Sequence, residues 1–232
     1  NYRQLQLYAG VPLKMTWYCG GHGFCLTSDG STSVALEQTW AWLDKYLKGN
    51  AAVDTGPAFT WVDQKGTYRS AATFPRPQRW HKARGGSGPY TGPLPEGVNP
   101  LTAILLRNTI PTPAKKAVSV PVKVARETVI LGAPKLTVTY SGTAKSKKVR
   151  VLAQLVDVAN KEVLGHQITP VPLRLNGKKH TVKVPLEAVS ATLSKGQKLT
   201  LQIVAQSSAY NVFPKGGSVT FSKVRIALPA VQ

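Results

Sequence analysis

From about residue 118 to residue 229 apolar side chains return at every second position. Leu136, Val138 and Tyr140 alternate with polar neighbours, as do Val149, Val151, Ala153 and Leu155. His180, Val182, Val184 and Leu186 follow the same rule, then Leu199, Leu201, Ile203 and Ala205. Val219 with Phe221, and Val224 with Ile226 and Leu228, close the series. A period of two turns one face of a strand to a core and the other to water. Gly, Asn, Lys and Ser turns separate the runs. At least six antiparallel strands within about 110 residues predict a β-sandwich or jelly roll over 118–232.

The first fifty residues follow another rhythm. Val11 to Tyr18 is a short, mainly apolar run of the kind that forms a buried strand. It enters the Gly-rich stretch Cys19-Gly20-Gly21-His22-Gly23-Phe24-Cys25. A helix is expected next, from about Ser33 to Lys48, because Leu36, Trp40, Leu43 and Leu47 recur at spacings of four, three and four on one face. Thr32 or Ser33 suits its start, Lys45 and Lys48 its negative end, and Gly49 its termination. Residues 1–50 therefore read as an α/β fragment of strand, loop and helix. Residues 51–117 read as an irregular connecting segment. Phe59-Thr60-Trp61-Val62 is one short strand candidate there, and the Gly and Pro residues from Gly85 to Pro100 exclude a long regular element.

Charge changes this picture less than its size promises. The 232 residues carry 30 Lys and Arg against 10 Asp and Glu, a formal +20. Residues 101–232 hold most of it, with only Glu127, Asp157, Glu162 and Glu187 as acids. Such a balance favours anionic partners. Nucleic acid is disfavoured, because the aromatics that would stack on bases lie mostly in residues 1–90, away from the densest charge. Lys145-Ser146-Lys147-Lys148, Lys178-Lys179 and Lys115-Lys116 read as solvated turns and strand edges, where Lys also discourages edge pairing. A basic module that holds an anionic glycan or cell-envelope polymer remains the alternative reading. No run approaches the roughly 18 apolar residues of a membrane-spanning helix. The start at Asn1 has neither Met nor a signal-peptide core, so processing or truncation is expected before it.

Candidate chemistry concentrates in the glycine-rich loop. His22, flanked by Gly20, Gly21 and Gly23 at the end of a strand, suits a general base, since imidazole titrates near neutrality. An ordinary Gly-rich turn with an incidental His explains the same residues. Cys19 and Cys25 are the only cysteines. A zinc site would need about four ligands and finds three cramped ones. A Cys nucleophile would want its His across a cleft. A short disulfide and a pair of buried free thiols both remain open, and bonding requires the Cα atoms within about 7 Å. No cofactor and no metal are expected.

The segment Gly10-Val11-Pro12-Leu13-Lys14-Met15-Thr16-Trp17-Tyr18-Cys19-Gly20-Gly21-His22-Gly23 closely resembles the catalytic-histidine segment of X-Pro dipeptidyl-peptidases and cocaine-esterase-like serine hydrolases. Actinobacterial members, described as acyl esterases or peptidases, are the most similar. Trp42 to Gly49 resembles that family's final hydrolase-domain helix, and Thr67 to Pro75 the stretch leading into its C-terminal domain. Leu155 to Val158 and Leu193 to Leu199 resemble strand signatures of that last domain.

The resemblance implies a division into the end of an α/β-hydrolase domain (1–50), a connector (51–117) and a jelly-roll β-sandwich (118–232). The jelly roll would help to wall the substrate cleft. His22 would be the catalytic triad histidine of a hydrolase acting on a peptide or an acyl ester. In such enzymes the order is Ser, then Asp or Glu, then His. No Ser, Asp or Glu precedes His22, and no Gly-x-Ser-x-Gly elbow occurs. Ser28, Ser31, Asp44 and Asp157 all follow His22 and make poor substitutes. The upstream N-terminal part of the same hydrolase is therefore the expected partner, and the chain alone is expected to be inactive. A secreted or cell-envelope location is expected from the paired cysteines, the Lys-rich turns and the resemblance.

Overall fold

The computed structural model describes residues 2–8, 10–19, 31–86, 88–91, 111–205, 207 and 217–231. The chain divides into two compact units, Asn1–Arg76 and Pro77–Gln232.

The first unit opens with a single helical turn, α1 (Tyr2–Leu5), followed by strand β1 (Met15–Trp17). Helix α2 (Ser33–Tyr46) then leads to strands β2 (Phe59–Val62) and β3 (Tyr68–Ala71). The three strands form a sheet in the order β1-β2-β3, with β1 and β3 at its edges. β1 runs parallel to β2, with Met15, Thr16 and Trp17 opposite Phe59, Thr60 and Trp61. A parallel pair needs a crossover, and α2 supplies it. Alternation sorts the sheet's two faces. On one, Phe59 is fully buried and its ring lies 5.5 Å from Trp17, 5.3 Å from Trp61 and 4.8 Å from Phe74. On the other, Gln38 of α2 bridges Thr16 and Thr60 by its amide.

α2 begins where the sequence placed its start and ends two residues earlier than expected. Ser31 provides the side-chain cap by accepting the Ser33 amide at 3.2 Å, while Thr32 makes no side-chain cap bond. Gly49, at φ +73°, lets the chain leave the helix, and the Asn50 amide returns to the Asp44 carbonyl. No residue of α2 is fully buried. Leu36, Trp40 and Leu47, expected on the helix's apolar face, are 57%, 57% and 77% exposed. The side meeting the sheet carries Gln38 instead.

The second unit is an antiparallel sandwich. Its strands are β4 (Arg79–Gly85), β5 (Gly88–Thr91), β6 (Val118–Lys123), β7 (Thr128–Gly132) and β8 (Lys135–Asp157). β9 (Glu162–Asn176), β10 (His180–Pro185), β11 (Val189–Leu193), β12 (Lys198–Val204) and β13 (Gly217–Ala230) complete it. β8 is the hinge of the architecture. Its first half pairs with β10 and β13, its second half with β12 and β9. Val138 and Tyr140 from the first half and Val151 and Leu155 from the second enter one core with Val171, Leu201, Phe221 and Ile226.

Two sequence expectations are corrected here. Lys145-Ser146-Lys147-Lys148, read as a turn, lies within the 23-residue β8. The β13 ladder runs to Ala144, and the β9 ladder shifts register between Thr143 and Lys148. The basic run fills that irregularity, so its polarity marks an interruption of the ladder rather than a chain reversal. The stretch 51–117, read as irregular apart from one strand, also contributes β3, β4 and β5. Gly85 and Gly86, both at positive φ, bend the chain between β4 and β5 while both strands pair with β13.

Residues 111–117 lie across the outer face of the β8–β12 layer. Gln202 accepts the Ala114 amide and donates to the Ala114 carbonyl, and Gln154 donates to the Thr112 carbonyl. Ala114 and Ala117 cover Leu152, Ile168 and Val204. No helix among the described residues is long and apolar enough to cross a membrane.

Candidate functional site

The candidate site is the corner between β1 and α2, and its frame is built from both sides. β1 is fixed at its start by Lys14, whose Nζ donates to the carbonyls of Thr55 at 2.7 Å and Pro57 at 2.6 Å. Partial burial pulls the Lys14 pKa below its usual value, and the carboxylate of Asp54 opposes that shift. The Met15 amide donates to the Ala58 carbonyl at 2.9 Å. Lys14 thus clamps the entry of β1 to the turn before β2. Trp17, at the other end of β1, packs edge-on against Phe59 and Phe74. Two residues later Cys19 is disulfide-bonded.

The chain re-enters the described structure at Ser31. Its carbonyl accepts the Tyr68 hydroxyl at 2.8 Å, while its own hydroxyl caps α2. Burial raises the Tyr68 pKa, so the phenol keeps its proton at neutral pH and remains a donor. The two legs of the intervening loop are therefore held by different devices. A parallel ladder and a lysine clamp hold one, and a tyrosine on β3 and a helix cap hold the other.

Of the expected site residues, His22 and Cys25 lie outside the described residues, as does Ser28. Asp44 is a half-exposed partner of Lys48 at 2.6 Å. Asp157 is buried and fully occupied: it accepts the Ala159 amide, the Asn160 side chain and the Gln197 side chain, closing the turn after β8. It is a structural carboxylate. Lys14, Gln38 and Tyr68 form the frame, and pattern reading gave them no role. Lys14 stands inside an apolar run, and Tyr68 reaches Ser31 across 37 residues of sequence. Among the described residues no group of three or more His, Cys, Asp or Glu side chains is placed to hold a metal ion.

No family model matches the sequence, and no curated protein matches it. Solved structures do match in fold. A CocE/NonD family hydrolase from Staphylococcus aureus superposes with a TM-score of 0.57 at 13% identity, over 86% of this chain and 46% of its own. An alpha-amino acid ester hydrolase gives 0.55 at 12% identity, over 83% of this chain and 44% of its own. An aminopeptidase from a marine sediment Thaumarchaeota archaeon gives 0.55 at 11% identity, over 84% and 43%. The chain thus spans less than half the length of each of these proteins. Over most of its length its fold resembles a part of a CocE/NonD hydrolase, of an ester hydrolase and of an aminopeptidase.

Proposed function

We propose that this chain is the C-terminal part of a serine hydrolase of the X-Pro dipeptidyl-peptidase or acyl-esterase type, and that it supplies the catalytic histidine, His22. The observation that carries this reading is the β1–loop–α2 corner within a chain whose fold resembles less than half of three hydrolases. A parallel strand–helix–strand unit delivers the loop at the carboxyl end of β1, where open α/β sheets carry their reactive groups.

In this reading His22 takes the proton from a serine hydroxyl as that oxygen attacks the ester or amide carbonyl, then returns it to the leaving group. The serine, its carboxylate partner and the oxyanion-hole amides come from the upstream part, in the chain order of such hydrolases. A Cys19–Cys25 disulfide staples the legs of the loop and limits how far the imidazole can wander. Lys14 and Tyr68 position those legs. The upstream part adds its next strand to the free edge of β1 and covers the apolar side of α2. An exported, oxidising location fits a structural disulfide.

The test uses the protein with its upstream residues present. A fluorophosphonate probe labels one serine, and His22→Ala lowers kcat by at least about 100-fold while substrate binding changes little. The 232-residue chain alone is inactive toward esters and X-Pro peptides. Undiminished turnover in His22→Ala, or robust turnover by the chain alone, overturns the assignment.

A further inference from the structure

The two layers of the sandwich treat their outer faces differently. One is covered by residues 111–117. The other, formed by β10, the first half of β8, β13 and β4, is cationic. Register places its residues in rows. Lys183 lies opposite Thr137, Thr137 opposite Arg225, and Arg225 opposite Arg84. In the next row Pro185, Lys135, Ala227 and Lys82 face one another. Lys223 pairs with Thr139 in the row on the other side of the first. Directly opposite residues share a face, so these rows form one surface. A row crossing four strands spans about 14 Å. All six cations are exposed.

Two features separate this face from ordinary solvated lysines. Arg225 and Arg84 stand directly opposite each other, and like charges at such a position are destabilising. Among the described residues none of the six cations makes an ion pair. Two of the second unit's few acids are committed elsewhere, Asp157 within its turn and Glu162 to His166 at 3.3 Å. Folding alone gives no reason to keep a guanidinium pair directly opposite each other on two neighbouring strands.

We infer that this face binds an acidic polysaccharide, with Arg84, Arg225 and Lys183 as its central cation row. Guanidinium groups match carboxylates in a two-pronged geometry, and a sheet face with cations in successive rows suits an extended chain bearing a charge on each repeat. Base stacking is not served. The aromatic ring beside the rows, Trp80, is already covered by Lys135, whose ammonium lies 4.2 Å from the ring centroid. A lipid surface is not served either, because no large exposed apolar side chain belongs to this face. The proposal is independent of hydrolysis by the β1–α2 corner.

The whole chain is tested for binding to polygalacturonate, with neutral dextran, single-stranded DNA and phosphatidylglycerol vesicles as comparisons. The face variant is K82Q/R84Q/K183Q/R225Q. A control of equal charge, K115Q/K116Q/K178Q/K195Q, removes exposed lysines from turns. Polygalacturonate binding is expected to weaken at least about tenfold in the face variant and less than about threefold in the control. Arg84→Gln alone is expected to hold or raise the melting temperature, and it reads out the face if the fourfold variant folds poorly. Equal loss in both variants, tighter binding to DNA or vesicles, equal retention of dextran, or no binding to polygalacturonate overturns the proposal.

Discussion

Single residues in this protein carry loads that their positions in the sequence do not announce. Asp63 directly follows β2 and has an almost fully buried carboxylate. It accepts the backbone amides of Lys65 at 2.9 Å and Thr67 at 3.1 Å, and the Arg69 guanidinium at 2.6 Å. One side chain thus closes the β2–β3 turn and neutralises a cation on β3. Asp63→Ala leaves two turn amides and Arg69 without this acceptor. Since Arg69 keeps about a third of its side chain in water, the loss falls below the full cost of breaking a buried pair. It is expected at about 2–3 kcal/mol for the first unit. Asp63→Asn keeps an acceptor for the amides and is expected to cost less. Urea unfolding followed by tryptophan fluorescence measures both, because Trp17, Trp40, Trp42 and Trp61 lie in that unit. An Asp63→Ala loss within experimental error would assign the turn's stability to its backbone alone.

At the scale of elements, legibility depended on whether the environment that shaped a pattern lies inside the chain. The alternation of Leu136, Val138 and Tyr140, or of Leu199, Leu201 and Ile203, names core positions correctly because the sandwich encloses its own core. The same reasoning ran β1 too long, from Val11 rather than Met15, since an apolar run does not reveal where pairing begins. It also split β8 at its basic run. Lysines mark exposed backbone, and an exposed backbone can be a turn or a ladder interruption. The close approach there was invisible in the pattern: a Cβ on Gly142 would clash with the Ser218 carbonyl oxygen and sit 2.9 Å from the Val219 Cα. Both obstacles are backbone, so neither can rotate away. Gly142→Ala is expected to lower stability by about 3 kcal/mol, with a matching fall in melting temperature, through separation of β8 from β13. Gly196→Ala is the comparison: its added Cβ meets nothing within 4 Å, though its φ of +81° still carries backbone strain. Gly142 is not among the positive-φ glycines, so a loss no larger than that of Gly196→Ala would show that the strands yield and that the close approach costs little.

At the scale of the molecule, the informative surface is the apolar one. Besides Leu36, Trp40 and Leu47, the side chains of Leu7, Tyr8 and Val11 are more than half exposed, and all six belong to the first unit. In the proposed reading the upstream part covers the exposed apolar side of α2. The candidate site was half legible. The flanking strand and helix were legible as a buried run and a helical rhythm, while the loop with His22 lies outside the described residues, and no Ser, Asp or Glu precedes His22 in this chain. If the upstream part covers α2, the triple substitution L36Q/W40Q/L47Q has opposite effects in two contexts. In the isolated chain it removes exposed apolar surface, and self-association seen by analytical ultracentrifugation is expected to fall. With the upstream part present it places three polar groups in a buried contact. Each side chain then forfeits about 1.5–3 kcal/mol of burial, and the melting temperature is expected to drop. A triple variant that melts like the parent in both contexts would mean that α2 faces water in the whole protein. The upstream strands would then have to join at the free edge of β1 alone.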